Sequence, residues 1–405
     1  MSSQTKKLGE ICDLQNGFAF KSTDYIENSN TMNFRMSQIR PDGTVDLKNN
    51  PRYLPDSFAN TYKNFLLKNG DVVIAMTDLA NETKILGVPT IVETAGKNLL
   101  MNQRVGKLCK IDDEIVFLPY LRYALTTPQV NKYYKSLGRG GLQINISKSD
   151  ILNVRISLPT LIEQKRIALK LDEIFENIKK AKENAERNLV NAWELFEALL
   201  NEYFGHPRKG WKEMKLNDAC IVERGSSPRP IKKYQTTSKD GVNWIKIGDT
   251  KGVEKYIYST REKITKEGAE HSRFVKEGDF ILTNSMSFGN PYIMKTEGYI
   301  HDGWFVLRLK EFIDTEFFWF LLVSPFVRNQ FNQLASGAIV KNISGDLVKK
   351  AVLFIPPLAE QRAIVGRLEE LSSETGRLEQ IYKNKLTDLE ELKKSVLQKA
   401  FAGEL

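Results

Sequence analysis

An internal repeat constrains the fold of this chain more than any other feature of its sequence. The segment "IPPLAEQRAIVGRLEEL" at residues 355–371 aligns without gaps with "LPTLIEQKRIALKLDEI" at residues 158–174, and seven of the seventeen positions are identical. Self-similarity over so long a period is typical of chains built from repeated structural units. The repeat therefore predicts two copies of one fold, each ending in the same kind of helix.

Further matches between the two copies follow in the same order along the chain, which makes chance similarity a poor explanation. They are Gly17 with Gly225 and "LKNGDVVIAMT" at 67–77 with "VKEGDFILTNS" at 275–285, both at an offset of 208, and "INIS" at 144–147 with "KNIS" at 341–344, at an offset of 197. The change of offset indicates an insertion or deletion within a copy. We interpret the chain as a duplication.

Each copy has an irregular first part and a helical second part. In the first part, short β-type runs such as "DVVIAM" and "WFVLRL" are interrupted by Gly, Pro, Asn and Asp and followed by an apolar helical stretch, a pattern that predicts an α+β domain. In the second part, apolar residues alternate spacings of four and three, as in a coiled-coil seam. The predicted seam positions are Ile167, Leu171, Ile174, Ile178, Ala181, Ala185, Asn188, Ala192, Leu195 and Leu199, then Ile364, Leu368, Leu371, Thr375, Leu378, Tyr382, Leu389, Leu392 and Val396. Gly376 lowers the helix propensity of the second copy.

Helix starts are recognisable in both copies. Thr160 and Glu163 form a T-x-x-E capping box, and Glu360 lies in the first turn after Pro356 and Pro357. The shared "EQ" dipeptide has two readings, a helix start or a contact to another subunit or DNA. Ser147 and Ser344, the last residues of the two "NIS" motifs, are predicted to cap the short helices that follow. Asp150 is predicted to complete the first of these capping boxes.

The basic charge of the chain lies outside the predicted long helices. The whole chain carries a net charge of +9, and the stretches 161–201 and 358–405 each carry −1, which leaves +11 on the irregular parts. A basic excess on domains rich in loops favours phosphate contact. A merely solvated basic surface is the alternative interpretation.

Motifs for catalysis, nucleotide binding and metal binding are missing from the sequence. It has no GxxxxGK[ST] loop, no GxGxxG after a strand, and three histidines without metal-ligand spacing. Its three cysteines have no CxxC spacing and are expected to be reduced thiols. The longest apolar run, at 317–323, is far shorter than the roughly 20 residues of a membrane span. We therefore expect a cytoplasmic protein without membrane contact, active site, cofactor or metal.

Several segments resemble one known family. "PPLAEQRAIV" at 356–365 and "SVLQKAFAGEL" at 395–405 resemble the conserved regions of type I restriction–modification specificity subunits. "NGFAFKSTDY" at 16–25, "RGSSPRPIKKY" at 224–234 and "SGAIVKNIS" at 336–344 are similar to the openings and a closing loop of the target-recognition domains of that family. The first copy departs mildly, with "PTLIEQKRI" in place of "PPLAEQRAI".

The resemblance implies a fold and a domain order. The fold would be α+β, with two similar target-recognition domains of mixed sheet and short helices, each followed by a long helix, and the two helices paired as an antiparallel coiled coil with pseudo-twofold symmetry. The expected segments are recognition domain 1 at 1–157, spacer helix 1 at 158–204, recognition domain 2 at 205–354 and spacer helix 2 at 355–405.

The resemblance also implies a function. The chain would be the non-catalytic DNA-specificity subunit of a multisubunit methyltransferase and endonuclease, reading a bipartite, asymmetric double-stranded target. It would dock two modification subunits, which carry S-adenosylmethionine, and restriction (motor and nuclease) subunits in the full complex. One alternative is the recognition subunit of an enzyme whose methylase and nuclease are fused in a single partner chain. Another is a coiled-coil scaffold with no role on DNA.

Candidate contact residues follow from charge and loop position. Arginine suits guanine and glutamine suits adenine through bidentate pairs in the major groove, whereas lysine suits phosphate. The candidates for DNA binding are Lys21, Arg35, Arg139, Gln143 and Lys148 in the first copy, and Arg224, Arg229, Lys232, Lys233, Lys246, Ser287 and Lys341 in the second. The candidates for partner binding are Glu163, Gln164, Glu360, Gln361 and Arg362.

Overall fold

The computed structural model describes residues 4–138, 141–284, 289–335 and 344–405. The chain divides into two compact units, Met1–Asn184 with Lys385–Leu405 (unit 1) and Ala185–Asn384 (unit 2). Each unit thus combines one irregular domain with parts of two long helices.

Unit 1 contains the first copy of the irregular domain. Its strands are β1 (Gln4–Lys7), β2 (Asp13–Asn16), β3 (Thr31–Phe34), β4 (Tyr53–Leu54), β5 (Leu66–Leu67), β6 (Val72–Ala75), β7 (Thr77–Leu79), β8 (Pro89–Ile91), β9 (Asn98–Met101), β10 (Val105–Cys109), β11 (Gln143–Asn145) and β12 (Arg155–Leu158). Its helices are α1 (Phe58–Thr61), α2 (Leu118–Leu125), α3 (Pro128–Ser136), α4 (Lys148–Leu152) and the first part of α5 (Leu161–Gly205).

Unit 2 contains the second copy. Its strands are β13 (Lys212–Lys215), β14 (Cys220–Arg224), β15 (Gln235–Thr236), β16 (Val242–Ile245), β17 (Tyr256–Ile257), β18 (Glu262–Ile264), β19 (Arg273–Val275), β20 (Phe280–Thr283), β21 (Pro291–Met294), β22 (Gly298–Ile300), β23 (Trp304–Leu309) and β24 (Val352–Ile355). Its helices are α6 (Leu216–Ala219), α7 (Ile231–Tyr234), α8 (Lys266–Ala269), α9 (Thr315–Val323), α10 (Pro325–Ala335), α11 (Gly345–Val348) and the first part of α12 (Leu358–Ala402).

The two domains share one sheet topology, which confirms the predicted duplication. The antiparallel order β2-β10-β6-β8 in unit 1 corresponds to β14-β23-β20-β21 in unit 2. A second sheet in each unit is built around a parallel pair, β3 with β9 and β16 with β22. The first strand of each domain pairs with the strand that leads into the long helix, β1 with β12 and β13 with β24. The α+β fold class is therefore confirmed in both copies.

Within unit 1 the two long helices run antiparallel. In unit 1, Arg166 Nη2 on α5 donates to Leu405 O at 2.7 Å, and Lys182 Nζ lies 2.7 Å from Glu390 Oε1. Residue numbers rise on α5 as they fall on the C-terminal segment, so the two run in opposite directions. Helix α12 continues without a break through Gly376, so this residue does not end the helix.

The predicted seam on α5 is wrong towards its C-terminal end. Ala185 and Ala192 are buried, but Asn188 is exposed and 61% of the Leu195 surface is accessible. The buried positions there are instead Phe196, Leu200 and Phe204. Their uniform spacing of four residues suits a helix packed on a broad apolar surface, and all three belong to the core of the second domain. On α12, Leu392 is likewise 47% exposed, whereas Ile364 and Leu368 are buried as predicted.

The predicted capping boxes are only partly confirmed. Ser147 Oγ accepts from Asp150 N at 3.1 Å, and Asp150 Oδ2 accepts from Ser147 N at 2.8 Å, so this box forms in full. Glu163 N lies 3.4 Å from Thr160 Oγ1, which is half of the expected box. Ser344 precedes α11, but its side chain makes no capping hydrogen bond within the described residues. A backbone hydrogen bond from Leu347 to the Ser344 carbonyl closes that turn instead.

Candidate nucleic-acid interface

The glycine shared by the two copies holds one turn in the same place in each domain. A Cβ atom on Gly17 would lie 2.1 Å from the Asn102 carbonyl oxygen, and one on Gly225 would lie 2.1 Å from the His301 carbonyl oxygen. No real side chain tolerates that distance. The backbone of residues 102–104 in unit 1 is therefore equivalent to that of 301–303 in unit 2. We call these segments the paired turns.

In unit 2 the paired turn gathers polar side chains around Asp302. Its carboxylate accepts from Ser227 Oγ at 2.7 Å and from Arg229 Nη2 at 3.2 Å. Its carbonyl oxygen accepts from Asn284 Nδ2 at 2.7 Å and from Arg224 Nε at 3.4 Å. The hydrogen bond from Ser227 holds the pKa of Asp302 below its usual range, so the group is an anion at neutral pH. Arg224 and Arg229, both predicted for DNA binding, are thus brought together.

The structure describes three of the four predicted lysines of unit 2. Lys246 Nζ is 2.6 Å from Glu262 Oε1, and this contact holds the pKa of Glu262 below its usual value. Lys233 Nζ is 3.7 Å from Glu267 Oε1 and remains exposed. Lys232 is also exposed. These ion pairs are solvent-accessible and individually weak, so a phosphate can compete with the carboxylates for the lysines.

The structure describes four of the five predicted residues of unit 1. Lys21 is exposed and Arg35 is half-buried. Lys148 Nζ is 2.6 Å from Asp13 Oδ1, and the hydrogen bond from Lys148 is the main cause of the lowered pKa of Asp13. Gln143 is exposed on β11, and its Oε1 accepts from Arg104 Nη1 at 3.0 Å. The remaining predicted residues, Arg139, Ser287 and Lys341, lie outside the described residues.

Two residues on the paired turns were missed by sequence reasoning. Arg104 and Asp302 belong to no matched stretch and to no recognisable motif. The turn that each shared glycine contacts lies more than 70 residues further along the chain, as Gly17 with Asn102 and Gly225 with His301 show. Only the tertiary fold reveals that pairing. The signal that could have revealed these two residues is the pairing of the strand at the domain opening with the strand "WFVLRL".

The two glutamines predicted for partner binding are internal, so the prediction is wrong for both. Gln164 is fully buried: its Nε2 donates to the carbonyls of Ile115 and Pro159 at 2.9 and 2.8 Å, and its Oε1 accepts from Phe117 N at 2.8 Å. A side chain whose amide groups are all used inside the domain presents no surface to a partner.

Gln361 repeats the arrangement in unit 2 and is also fully buried. Its Nε2 donates to the carbonyls of Phe312 and Pro356, both at 2.9 Å, and its Oε1 accepts from Asp314 N at 2.7 Å. Every partner of Gln361 is 197 residues beyond the equivalent partner of Gln164. The shared glutamine therefore ties the start of each long helix to the loop before α2 or α9, and this explains its place in the repeat.

The neighbouring charged candidates remain accessible. Glu163 is paired with Arg166 at 2.7 Å, and this pairing lowers the pKa of Glu163. Glu360 accepts from Trp211 Nε1 at 3.0 Å. Arg362 is exposed and lies 3.8 Å from Asp314. These contacts leave surface free for a partner at all three candidate residues.

No group of three or more His, Cys, Asp or Glu side chains in the described part of the chain could hold a metal ion. Among the described helices, none is both long enough and apolar enough to cross a membrane.

Comparison with known proteins agrees with this architecture. A family model described as the type I restriction modification DNA specificity domain matches residues 2–187 and 208–388, most of the chain. The chain belongs to this family. The two matched stretches correspond to the two copies of the repeat, so this type I specificity protein carries the family domain twice.

Curated relatives and solved structures are similar over nearly the whole chain. The specificity subunit of the type I restriction enzyme StySPI from Salmonella potsdam is 26% identical over 390 residues, covering 87% of this chain and 82% of that protein. That of EcoKI from Escherichia coli K12 is 24% identical over 388 residues, with the same coverage. The HsdS subunit from Thermoanaerobacter tengcongensis shares the fold with a TM-score of 0.60 at 19% identity, covering 99% and 97% of the two chains. A chain from a study of assembly and conformational transition of the type I R-M system reaches 0.76 at 18% identity, covering 99% and 98%.

Proposed function

We propose that the chain is the DNA-specificity subunit of a type I restriction–modification enzyme and that each copy reads one half of a bipartite, asymmetric target. The proposed readers are residues 1–157 and 205–354, and the spacer helices are 158–204 and 355–405. The observation that carries this proposal is that the two domains share one sheet topology but have different polar residues on their paired turns. Equivalent backbones with unlike side chains suit two half-sites of unlike sequence.

The proposed division of labour within each reader follows the chemistry of the side chains. Exposed lysines contact phosphates, which position the protein, and arginine or glutamine held at a defined place contacts base edges. In unit 2 the base-reading candidates are Arg224 and Arg229, both bound to Asp302. In unit 1 the candidate is Gln143, bound to Arg104. We assign phosphate contact to the remaining described candidates, Lys21, Arg35, Lys148, Lys232, Lys233 and Lys246.

We further propose that this chain contributes recognition and no catalysis, while modification and restriction subunits supply the chemistry. Support comes from the family, whose described role is DNA specificity. In this proposal the methyl donor S-adenosylmethionine belongs to the modification subunit and not to this chain.

The proposed docking site for modification subunits is a charge pattern that both copies expose. Two identical partners can bind one duplicated chain only if each meets an equivalent surface. At an offset of 197, exposed or half-exposed residues of equal charge sign recur on the long helices. They are Glu163, Lys165, Lys170, Asp172 and Glu173 on α5 and Glu360, Arg362, Arg367, Glu369 and Glu370 on α12. This surface, called here the repeated charged face, replaces the two buried glutamines in the docking proposal.

Exchange of one reader tests the proposed function. Residues 1–157 are replaced by the same domain of a relative with a different target, and the full chain with its modification partner methylates a random duplex library, whose marked sequences are then read. We expect one half of the target to change and the other half to remain. The unaltered chain serves as the control. A change in both halves, or no two-part target for the unaltered chain, would contradict the proposal.

A further inference from the structure

The paired turn of unit 2 carries a carboxylate, that of Asp302, at a surface proposed to contact DNA. A domain surface that approaches DNA phosphates is expected to exclude carboxylates, because like charges repel. Asp302 nevertheless lies among the arginines predicted to bind DNA, and 45% of its side chain is accessible. Its two carboxylate oxygens are divided between Ser227 and Arg229.

Hydrogen bonds with Ser227 and Asn284 hold Asp302 in one orientation, independently of its contact with Arg229. Ser227 Oγ donates to Oδ1 at 2.7 Å, and Asp302 N donates back to Ser227 Oγ at 3.2 Å. The carbonyl oxygen of Asp302 is held by Asn284 at 2.7 Å. A carboxylate fixed in this way can hold a long, flexible arginine in one direction, and a charge-assisted hydrogen bond is well suited to do so.

Arg229 remains free to read DNA while it is held. Its side chain is 80% accessible, and the contact to Asp302 Oδ2 occupies one terminal nitrogen, Nη2, at 3.2 Å. A guanidinium has five N–H donors in a planar fork, so further donors remain for a base edge. Arginine reads guanine through two such donors, and its discrimination depends on accurate placement.

We propose that Asp302 is a positioning residue for base reading in the second half-site: it aims Arg229 at one base without contacting that base itself. The inference rests on the proposed function and adds a specificity determinant to it. Asp302 is more than 70 residues from Arg229 in the chain and reaches it because Gly225 packs against the turn at 301–303. In unit 1 the equivalent turn supplies Arg104, which is bound by the Gln143 amide, so the two readers hold their arginines by different groups.

The test uses the full-length chain and a randomised double-stranded DNA library, from which bound sequences are selected and read. The variants are Asp302→Asn, Arg229→Gln and the double substitution. Asp302→Asn keeps the side-chain size and the backbone contacts but removes the charge. Asp240→Asn is the matched control, because Asp240 is another exposed carboxylate of the same unit. Thermal unfolding of each variant checks that unit 2 is still folded.

We expect Arg229→Gln to flatten base preference at one position of one half-site. Asp302→Asn should reduce preference at the same position by about fivefold or more, and the double variant should be no worse than Arg229→Gln. The other half-site should not change, and Asp240→Asn should behave like the unaltered chain. This pattern would separate a positioning role from general destabilisation, which would weaken binding at every position.

Three outcomes would overturn the inference. If Asp302→Asn alters a different position from Arg229→Gln, Asp302 reads a base itself. If it alters none, the ion pair has no role in reading. If Asp302→Asn unfolds unit 2, the Ser227→Ala variant is selected instead, and unchanged preference in that variant counts against the inference. An unaltered chain that selects no two-part sequence would refute the proposed function, a result distinguishable from these three.

Discussion

His301 shows how one residue couples the paired turn to the stability of its domain. The ring is largely buried, and its Nδ1 accepts a hydrogen bond from Gly303 N at 2.8 Å. Burial lowers the pKa of His301. Of the charged groups that face the ring, Asp302 and Asp249 oppose this shift and Lys246 reinforces it. Protonation of Nδ1 would also remove the acceptor that holds the turn.

The lowered pKa predicts a defined pH dependence of stability. Because the folded state binds the proton less readily than the unfolded state, the contribution of His301 is fully present above the unfolded pKa of about 6.5. It should decline as the pH falls below that value, until the folded state is also protonated. Urea unfolding of the full chain between pH 5 and pH 8 measures this.

The His301→Gln variant provides the comparison for this prediction, because glutamine does not titrate. The difference in unfolding free energy between the unaltered chain and His301→Gln should change across the acidic range. His271→Gln, which replaces an exposed histidine of the same unit, is the control substitution. A pH-independent difference for His301→Gln would contradict the argument.

At the scale of elements, the start of each long helix is fixed by a buried glutamine. Gln361 provides one acceptor and two donor contacts to backbone groups of Phe312, Asp314 and Pro356. Buried backbone groups without a partner cost free energy, typically about 1–3 kcal/mol each. The Gln361 amide thus makes the hydrogen bonds that water would otherwise make to a loop that the helix start covers.

Replacing Gln361 by leucine should destabilise the chain strongly, by about 2–5 kcal/mol, because it leaves several backbone groups unsatisfied at similar side-chain volume. Equilibrium unfolding in urea measures the change. Gln398→Leu, an exposed position on the same helix, should alter stability by less than about 0.5 kcal/mol. Equal effects of the two substitutions would show that the buried amide network contributes little.

At the scale of the whole molecule, the duplication makes a prediction about stoichiometry. The repeated charged face predicts one modification subunit for each copy. Reversing the basic charges of one copy, with Lys165→Glu and Lys170→Glu, should remove one of the two partners. Arg362→Glu with Arg367→Glu should remove the other, because opposed charges at the rim of an interface suppress association.

Native mass spectrometry of the purified complex counts the partner subunits directly. Each pair of substitutions should give one partner per chain, and both pairs together should give none. Lys179→Glu is the matched control, because its counterpart in the second copy is Gly376 and the repeated charge is missing there. Two partners retained by the variant with all four substitutions would place the docking site elsewhere.

The sequence alone determined the duplication, the α+β class and the two long helices, because these depend on patterns within a few residues. Heptad spacing, prolines and the capping box at Ser147 act locally, and each can be recognised without knowing what packs nearby. The family resemblance was readable for the same reason, since its motifs are short and contiguous.

Tertiary structure decided which face of a helix is buried and which side chains meet. Phe196 is buried and Leu195 is exposed because the core of the second domain, and not a helix seam alone, covers that part of α5. The Gln164 side chain is buried because its amide donates to a backbone carbonyl almost 50 residues away in the chain, that of Ile115. Asp302 met Arg229 because Gly225 allows the turn to approach the domain opening. Burial and side-chain pairing depend on segments distant in sequence, and local pattern carries no record of them.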